Sequence, residues 1–431
     1  MIYIISLLSL VFILASLKDL RFSLGLILLG LPLYQVRFMF LSIPLTLLET
    51  WIFVFIFIWF LKKGGFLKIK KLFLSLGTWK WIIIFWLLSG LLAIIISPDL
   101  RAGLGIFKAY FLEPVLVFMV GFDIIKSKKD FSIIIFFTVC LGVLVSLWAI
   151  LQKFFGGGIM SLEILNKPEV WRATGPFPHP NFLGLLLGPI LILGFSWIVS
   201  FSKTTTFKIL GFIFVFILGA ALVLAKTEGA IIGSLAGFFI MSLFYKPKLS
   251  FIVLIIAFLL LFLSPYKDMF LEKVTLSDLS GKLRLNIWEG ALDLLSENMI
   301  LGVGLSGYQE LIPGIQKAYF DKTSKKLVSV ETHPYPHNLF LSLWLELGLF
   351  GLLIFLWIII RFFYLGLLKL KKVRSGFKMQ ILGVMGAMIV VLVHGLVDTP
   401  YFKNDLSILF WFLVLLMAFL YNKKAGYGEV A

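Results

Sequence analysis

Residues 337–364 read HNLFLSLWLELGLFGLLIFLWIIIRFFY, in which a polar His-Asn pair leads directly into a long apolar run. The hydrocarbon core of a bilayer is about 30 Å thick, and a helix needs about 20 apolar residues to cross it. The stretch therefore predicts a membrane-spanning helix with His337 and Asn338 at its water-facing mouth. After nine intervening residues, 339–347, the run contains Gly348-Leu-Phe-Gly351.

Apolar runs of this kind recur along the whole chain. Of its 431 residues, 61% are hydrophobic and only 14% are charged, which predicts an all-α, polytopic transmembrane helical bundle. The single cysteine, Cys140, lies inside an apolar run, which excludes a disulfide framework and a cysteine-based metal site. The first run, Ile2–Leu17, lacks a basic start and a small-residue cleavage site, so we interpret it as a retained span.

The net charge of +17 would suit a nucleic-acid-binding protein, but the placement of the charges excludes that class. Lysine and arginine concentrate in short loops that alternate with loops much poorer in them, as the positive-inside rule requires. The basic loops lie near residues 62–80, 126–129, 203–208, 246–248, 369–378 and 423–424. The basic excess therefore predicts membrane topology, with membrane lipids rather than nucleic acid as surroundings.

The apolar runs predict spans at 39–61, 80–97, 103–122, 131–151, 181–201, 207–225, 229–245, 249–264, 338–364, 379–397 and 405–421. The region 2–36 adds one or two, which gives 12 or 13 spans with a cytoplasmic C-terminus. Alternation of the basic loops favours 13 spans and an external N-terminus. The chain then divides into an N-terminal transmembrane bundle (1–264), a large external loop (265–337) and C-terminal transmembrane helices (338–431).

The large external loop mixes acidic and basic residues, unlike the purely basic internal loops. Its residues 280–295 predict a helix with Ser280 as N-cap and Arg284 one turn before Trp288. One face of that helix carries Ile287, Trp288, Ala291, Leu292 and Leu295. A Gly-rich turn, Gly302–Tyr308, follows and permits a tight chain reversal. We expect a structured cap across the helix ends.

A second external loop, Gln152–Pro180, contains Arg172 among aromatic and small residues. A guanidinium with no acidic neighbour in sequence is available for an external anion. It could equally extend to a lipid phosphate at the membrane surface. For His337 the corresponding alternatives are proton transfer, since the unperturbed pKa of histidine is about 6.5, and a simple interfacial anchor of the helix end.

The polar motifs of the two external loops and the following helix occur in a fixed order: Arg172 with Gly-Pro-Phe-x-x-Pro-Asn181, Arg284-x-x-x-Trp288, Gly302-x-Gly304, and His337-Asn338-x9-Gly348-x-x-Gly351. In this order they resemble the O-antigen ligase and Wzy-type polymerase superfamily. The resemblance covers about the last two thirds of the chain, and its most specific part is the His-Asn-x9-Gly-x-x-Gly pattern after a large external loop.

This resemblance implies a GT-C-like glycosyltransferase without metal or cofactor, acting at the outer membrane face between a polyprenyl-diphosphate glycan donor and an acceptor. It implies that His337 is catalytic and that Arg172 and Arg284 hold the diphosphate. One departure is Ala225-Lys226-Thr227-Glu228-Gly229, where family members often carry Ser-Arg-Gly. Lys226 could replace that positive charge, or Lys226 and Glu228 could only fix the helix end.

The residues themselves suit this chemistry. A histidine can take the proton of an acceptor hydroxyl, and arginine forks neutralise a departing diphosphate. The sequence has no Asp-x-Asp and no third ligand near His333 and His337, which argues against a metal site. Secondary candidates are Asn338, His333, His394 and Asp398, whereas helix packing is the favoured role of the intramembrane Glu49 and Glu113.

The sequence thus predicts a multi-pass protein of the bacterial inner membrane that moves a glycan from undecaprenyl diphosphate to a hydroxyl of a glycan, lipid or protein. The alternative is a transporter or flippase for a lipid-linked glycan or another anion, which would use the same arginines. Transporters commonly show two matching halves and broken helices. No internal repeat is visible, and the polar residues concentrate in one asymmetric external segment, which favours the enzyme.

Overall fold

The computed structural model describes residues 2–40, 43–62, 64–161, 170–200, 204–262, 275–277, 279–313, 334–373 and 375–422. Within these ranges the chain is almost entirely helical, and its strands form two short antiparallel hairpins. The helices surround one large apolar core, and a smaller apolar cluster lies beneath residues 279–313. The predicted all-α fold is confirmed.

The N-terminal elements are α1 (Ile2–Lys18), α2 (Leu20–Leu29), a 3-10 turn (Leu31–Gln35), β1 (Arg37–Phe40), β2 (Ile43–Thr46) and α3 (Leu47–Lys62). The predicted span 39–61 is therefore wrong at its start, because residues 37–40 and 43–46 pair as antiparallel strands. Thr46 and Glu49 form a capping box, in which the Thr46 amide donates to the Glu49 carboxylate and the Glu49 amide donates to the Thr46 hydroxyl. This reciprocal cap fixes the helix start at Leu47.

The middle of the chain forms α4 (Gly65–Ser75), α5 (Trp79–Ile96), α6 (Leu100–Phe107), a π-helical turn (Lys108–Leu112), α7 (Glu113–Ile124) and α8 (Lys128–Phe155). It continues with β3 (Ile159–Ser161), β4 (Val170–Arg172), α9 (Pro180–Ser200), α10 (Thr205–Ala225), α11 (Glu228–Tyr245) and α12 (Pro247–Phe262). Side chains define several starts: Asp99 caps α6, and Ser127 forms a capping box with Asp130 at α8.

The C-terminal elements are α13 (Leu279–Glu297), α14 (Leu339–Leu370), α15 (Ser375–His394) and α16 (Asn404–Asn422). The predicted helix over 280–295 is confirmed as α13, with two corrections. The helix begins at Leu279, so Ser280 lies inside its first turn. Leu292 is 53% exposed, and Leu294 is buried instead beside Ile287 and Ala291.

The helix α14 is broken at Gly348, whose φ of 68° and ψ of −175° are not helical. Residues 300–303 form hydrogen bonds with the backbone on both sides of this break. The Leu349 amide donates to the Ile300 carbonyl, and the Val303 amide donates to the Leu345 carbonyl. A Cβ at Gly348 would lie 2.3 Å from the Ile300 oxygen. Gly348 and Gly302 therefore let two backbones approach closely and satisfy each other's hydrogen bonds.

Among the described residues, nine helices are long and apolar enough to cross a membrane. Three further apolar helices, α1, α3 and α12, have 17, 16 and 16 residues. The most enclosed spans are those of α9, α15 and α16, which occupy the centre of the bundle. This arrangement confirms a polytopic helical membrane protein.

The loops that carry the predicted site residues meet at one end of the bundle, which we call the His337 end. Hydrogen bonds join Leu305 to Ala93, Leu339 to Gly395, Ala173 to Leu224 and Thr227 to Pro180. At the opposite end, Arg21 of α2 binds Asp130 of α8, and Gln380 of α15 binds Ser200 of α9. The polar chemistry of the chain is thus divided between two ends with an apolar core between them.

Candidate active site

Arg172 ends β4 and lies against the turn between α10 and α11. Its Nε donates to the Ala225 carbonyl at 2.9 Å, and its Nη2 donates to the Lys226 carbonyl at 3.2 Å and to Asn181 Oδ1 at 3.0 Å. These carbonyls end α10 and have no partner within that helix, so the guanidinium acts as a C-terminal cap. All of its bonds in the described structure go to neutral oxygens.

The electrostatic setting of Arg172 is unusual for a capping arginine. Burial lowers the pKa of its guanidinium, the positive charge of Arg284 lowers it further, and Glu228 and Asp398 oppose the shift. A partly desolvated cation near a second cation is stabilised when an anion arrives. The geometry therefore combines a structural role with a positive charge that no carboxylate of the described residues contacts directly.

His337 occupies a tightly bent position at the mouth of α14. Its φ of +48° is in the left-handed region, which is uncommon for a residue with a side chain. On one side the Pro336 carbonyl accepts Trp288 Nε1 at 2.8 Å, and on the other Asn338 caps α14 through the amides of Phe340 and Leu341. These contacts hold the backbone on both sides of His337, as expected where a strained residue persists in a folded protein.

Asp398, in the loop between α15 and α16, is the partner of His337. Its Oδ1 lies 3.3 Å from His337 Nδ1 and accepts the Thr399 amide at 2.8 Å, while its Oδ2 accepts Asn181 Nδ2 at 3.1 Å. Burial raises the pKa of this carboxyl, but the hydrogen bond and charge of His337 outweigh it, with help from His394 and Thr399. The net pKa lies below its ordinary value, so Asp398 is an anion.

The four side chains Arg172, Asn181, Asp398 and His337 form one continuous hydrogen-bonded row. They come from three segments that are far apart in sequence. His337 is the more accessible end of its pair, with 26% of its side chain exposed against 7% for Asp398. The row therefore presents an imidazole towards the surface and keeps its carboxylate behind it.

Arg284 lies in α13, one turn before Trp288, whose indole is bonded next to His337. It is half-buried, and its charge acts on Arg172. The structure therefore brings together three of the sequence-predicted residues, Arg172, Arg284 and His337, although they come from two loops and are at least 50 residues apart in sequence.

The remaining candidates take varied positions. His394 is buried, with its Nε2 3.9 Å from Asp398 Oδ2 and its ring against Gly229. Lys226 has an exposed side chain and ends α10 in a left-handed conformation, φ 49°, while its carbonyl accepts Arg172. His179 Nδ1 accepts the Asn181 amide. His333 lies outside the described residues.

Sequence reasoning missed two features. The role of Asn181 was not predicted, although Pro180-Asn181 belongs to the quoted motif, because an amide bridge is visible only in three dimensions. The capping role of Arg172 was also missed, since neither anion binding nor membrane snorkelling anticipated bonds to the end of α10. The only local signal was the brevity of the turn between Ala225 and Glu228.

The described residues contain no group of three His, Cys, Asp or Glu side chains arranged to hold a metal. What the row can do is move a proton and hold an anion. In a neutral imidazole, a carboxylate acceptor at Nδ1 favours the tautomer that carries its proton on Nδ1 and its lone pair on Nε2. Arg172 and Arg284 add positive charge beside it.

Residues 212–356 match a family model described as O-antigen ligase, which is about a third of the chain. No curated protein matches it significantly. The matched range includes Lys226, Arg284 and His337, whereas Arg172 and Asp398 lie outside it. The match confirms the family resemblance predicted from the sequence and supports a membrane protein with a glycosyl-transferring role in polysaccharide assembly.

Proposed function

We propose that this O-antigen ligase-like membrane protein transfers a glycan from a polyprenyl-diphosphate donor, such as undecaprenyl diphosphate, to an acceptor hydroxyl. The observation that carries the proposal is the row Arg172–Asn181–Asp398–His337. It joins an imidazole held by a carboxylate to an arginine that, among the described residues, is bonded to neutral oxygens alone. A base and an anion-binding cation at adjacent positions suit this transfer.

In the proposed step, the acceptor oxygen attacks the anomeric carbon of the donor sugar while the bond from that carbon to the diphosphate oxygen breaks. His337 Nε2 takes the hydroxyl proton, and Asp398 stabilises the resulting imidazolium through Nδ1–H. The polyprenyl diphosphate leaves with the electron pair of the broken bond. Arg172 and Arg284 stabilise its charge. Because Nε and Nη2 of Arg172 are bonded to the protein, the two N–H donors of its Nη1 are the ones that would bind the diphosphate.

We place this site on the outer face of the bacterial inner membrane, within the three-part division into residues 1–264, 265–337 and 338–431. A labelling experiment tests the sidedness. In a Cys140→Ser background, Ser296→Cys in α13 should react with an impermeant maleimide in spheroplasts, whereas Lys372→Cys after α14 should react only after permeabilisation. Both side chains are exposed, so burial does not limit labelling. The reverse pattern would overturn the outward orientation.

A deletion strain tests the function and separates its variants. Loss of a ligase leaves full-length glycans on polyprenyl diphosphate, whereas loss of a polymerase leaves single-repeat chains on the surface, and a protein-glycosylating enzyme leaves its protein acceptor unmodified. The alternative transporter or flippase predicts donor trapped on the cytoplasmic leaflet instead. The broken helix α14 does not favour that alternative, because the 300–303 turn already satisfies the backbone at the break. Unchanged surface glycans in the deletion strain would contradict the proposal.

A further inference from the structure

Asn181 bridges two opposite charges in the candidate site. The amide is the second residue of α9, where its Oδ1 accepts from Arg172 at 3.0 Å and its Nδ2 donates to Asp398 at 3.1 Å. An arginine can only donate and an ionised carboxylate can only accept, so these two partners fix which end of the amide faces which charge. An amide is the one group of this size that satisfies both sides.

A neutral bridge has a chemical consequence here. The charges of Arg172 and Asp398 attract each other across it, since Asp398 raises the pKa of Arg172. In direct contact they would form an ion pair, in which Arg172 would be less available to an anion and Asp398 would stabilise an imidazolium less well. The Asn181 amide forms a hydrogen bond with each of these two side chains without neutralising the charge of either.

We propose that Asn181 is a positioning residue that keeps Arg172 and Asp398 apart, so that one serves the diphosphate and the other serves His337. This inference rests on the proposed function. It assigns to the amide a role in both donor binding and proton transfer, although the amide itself takes no proton.

Contacts other than the amide fix the segment around Asn181. Thr227 Oγ1 donates to the Pro180 carbonyl at 3.1 Å, and the Phe182 ring centroid lies 3.9 Å from Lys403 Nζ. Lys403 is in turn bound to Asp405 at 3.3 Å. A change confined to the amide should therefore leave the fold and the position of the segment intact.

The substitution Asn181→Asp preserves shape and tests the bridge. The new carboxylate would bind Arg172 directly and lie against Asp398, and two carboxylates this close share a proton. We expect the KM for donor to rise and kcat to fall, each by about 10- to 100-fold, as for loss of a hydrogen bond to a charged group. A role in packing alone would change neither parameter.

The double variant Asn181→Asp with Asp398→Asn separates charge position from hydrogen bonding. It keeps the net charge and a hydrogen bond between positions 181 and 398, but the negative charge is now next to Arg172 instead of next to His337. We expect a wild-type melting temperature and kcat still reduced about tenfold or more. Recovery of wild-type kcat would overturn the proposal, because hydrogen bonding alone would then suffice.

Gln152 supplies a matched control. Its amide accepts from the backbone of Thr174 and Gly175 at 3.0 Å each, and so fixes the same loop without touching the charged row. Gln152→Met should lower the melting temperature while kcat and KM stay within about twofold of wild type. If Asn181→Asp shows only this pattern, Asn181 is structural and the proposal is wrong.

The assays use purified full-length protein in nanodiscs, undecaprenyl diphosphate as binding probe, and lipid-linked glycan extracted from the deletion strain as donor. His337→Ala and Arg172→Ala are run alongside. If both retain transfer, the proposed function fails and the role of Asn181 fails with it. If both lose transfer and Asn181→Asp does not, the proposed function stands and only the Asn181 bridge is overturned.

Discussion

Arg21 and Arg172 lie at opposite ends of the same bundle and are held in contrasting ways. Arg21 binds Asp19 through Nε and Nη2 and Asp130 through Nη1, with the shortest contacts at 2.6 Å. Two carboxylates therefore neutralise its fork. Arg172 is bonded to two backbone carbonyls and one amide. Burial lowers its pKa, and so does Arg284, while the charges of Glu228 and Asp398 oppose the shift.

The difference distinguishes a structural arginine from one that can bind a substrate. At the Arg21 end the acidic partners are built into the fold, with Asp130 also capping α8. At the Arg172 end, the nearest carboxylate in the row, Asp398, is separated by an amide and committed to His337. An incoming anion could therefore bind Arg172, whereas the donors of Arg21 are already bonded to carboxylates.

The largest effect should follow from removing the imidazole at the His337 end. His337→Ala should lower transfer by about 100-fold or more, because general base catalysis typically contributes about 10²–10⁴-fold. The melting temperature should change little, since the side chain is partly exposed. Turnover of extracted donor and binding of undecaprenyl diphosphate are measured together. Near-normal turnover at wild-type expression would remove His337 from the mechanism.

Neutralising one carboxylate at each end of the bundle tests the comparison next. Asp398→Asn should lower kcat by about 10- to 100-fold, because the imidazolium loses a hydrogen bond to a charged group. Asp130→Asn should lower the melting temperature instead, since it weakens the Arg21 bond and the capping box of α8. Equal loss of turnover in both variants would mean that the two ends do not differ in function.

The sign of the pH dependence of the His337–Asp398 pair follows from the lowered pKa of Asp398. The folded-state pKa of Asp398 is lowered, so its contribution is present above the ordinary carboxyl pKa and is lost only as pH falls through the lowered value. From about pH 5 to 9 the carboxylate should therefore not titrate, and the infrared difference spectrum of wild type minus Asp398→Asn should show an unchanged carboxylate band over that range. Loss of that carboxylate band between pH 7 and pH 5 would contradict this assignment.

Much of the fold could be predicted because apolar run length is a one-dimensional property. It identified the spans α5 to α12 and α14 to α16, whereas the periodic apolar face of residues 280–295 indicated α13. It failed where residues 37–40 pair with residues 43–46, because hydropathy alone does not distinguish a short strand pair from a helix start. The capping box of Thr46 and Glu49 was the available signal.

The candidate site was less predictable, since its meaning depends on contacts across the chain. The motifs indicated His337, Arg172 and Arg284, but the partner of His337 lies 61 residues away and the bridge to Arg172 involves α9. The pattern Gly348-x-x-Gly351 did not by itself predict a helix break. That break depends on the approach of Ile300 from another segment.

Replacing each arginine by lysine keeps the charge but removes the fork. Arg172→Lys should raise the KM for donor about tenfold, because one ammonium group cannot contact a phosphate while also capping α10 and bonding Asn181. Arg21→Lys should leave KM unchanged. Equilibrium binding of undecaprenyl diphosphate checks the result. Equal affinity in wild type and Arg172→Lys would leave only the capping role of Arg172.

The smallest effect is expected from Arg21→Ala. Arg21 is 39% exposed, so solvent screens its ion pairs, and Asp130 keeps the backbone amides of Lys126 and Ser127 as donors after the change. We expect a loss of about 1 kcal/mol in the free energy of unfolding, with turnover per folded molecule unchanged. Thermal unfolding and single-turnover transfer by the same preparation measure both. A fall in turnover without a fall in stability would show that the opposite end communicates with the site, and the contrast between the two arginines would no longer separate structure from function.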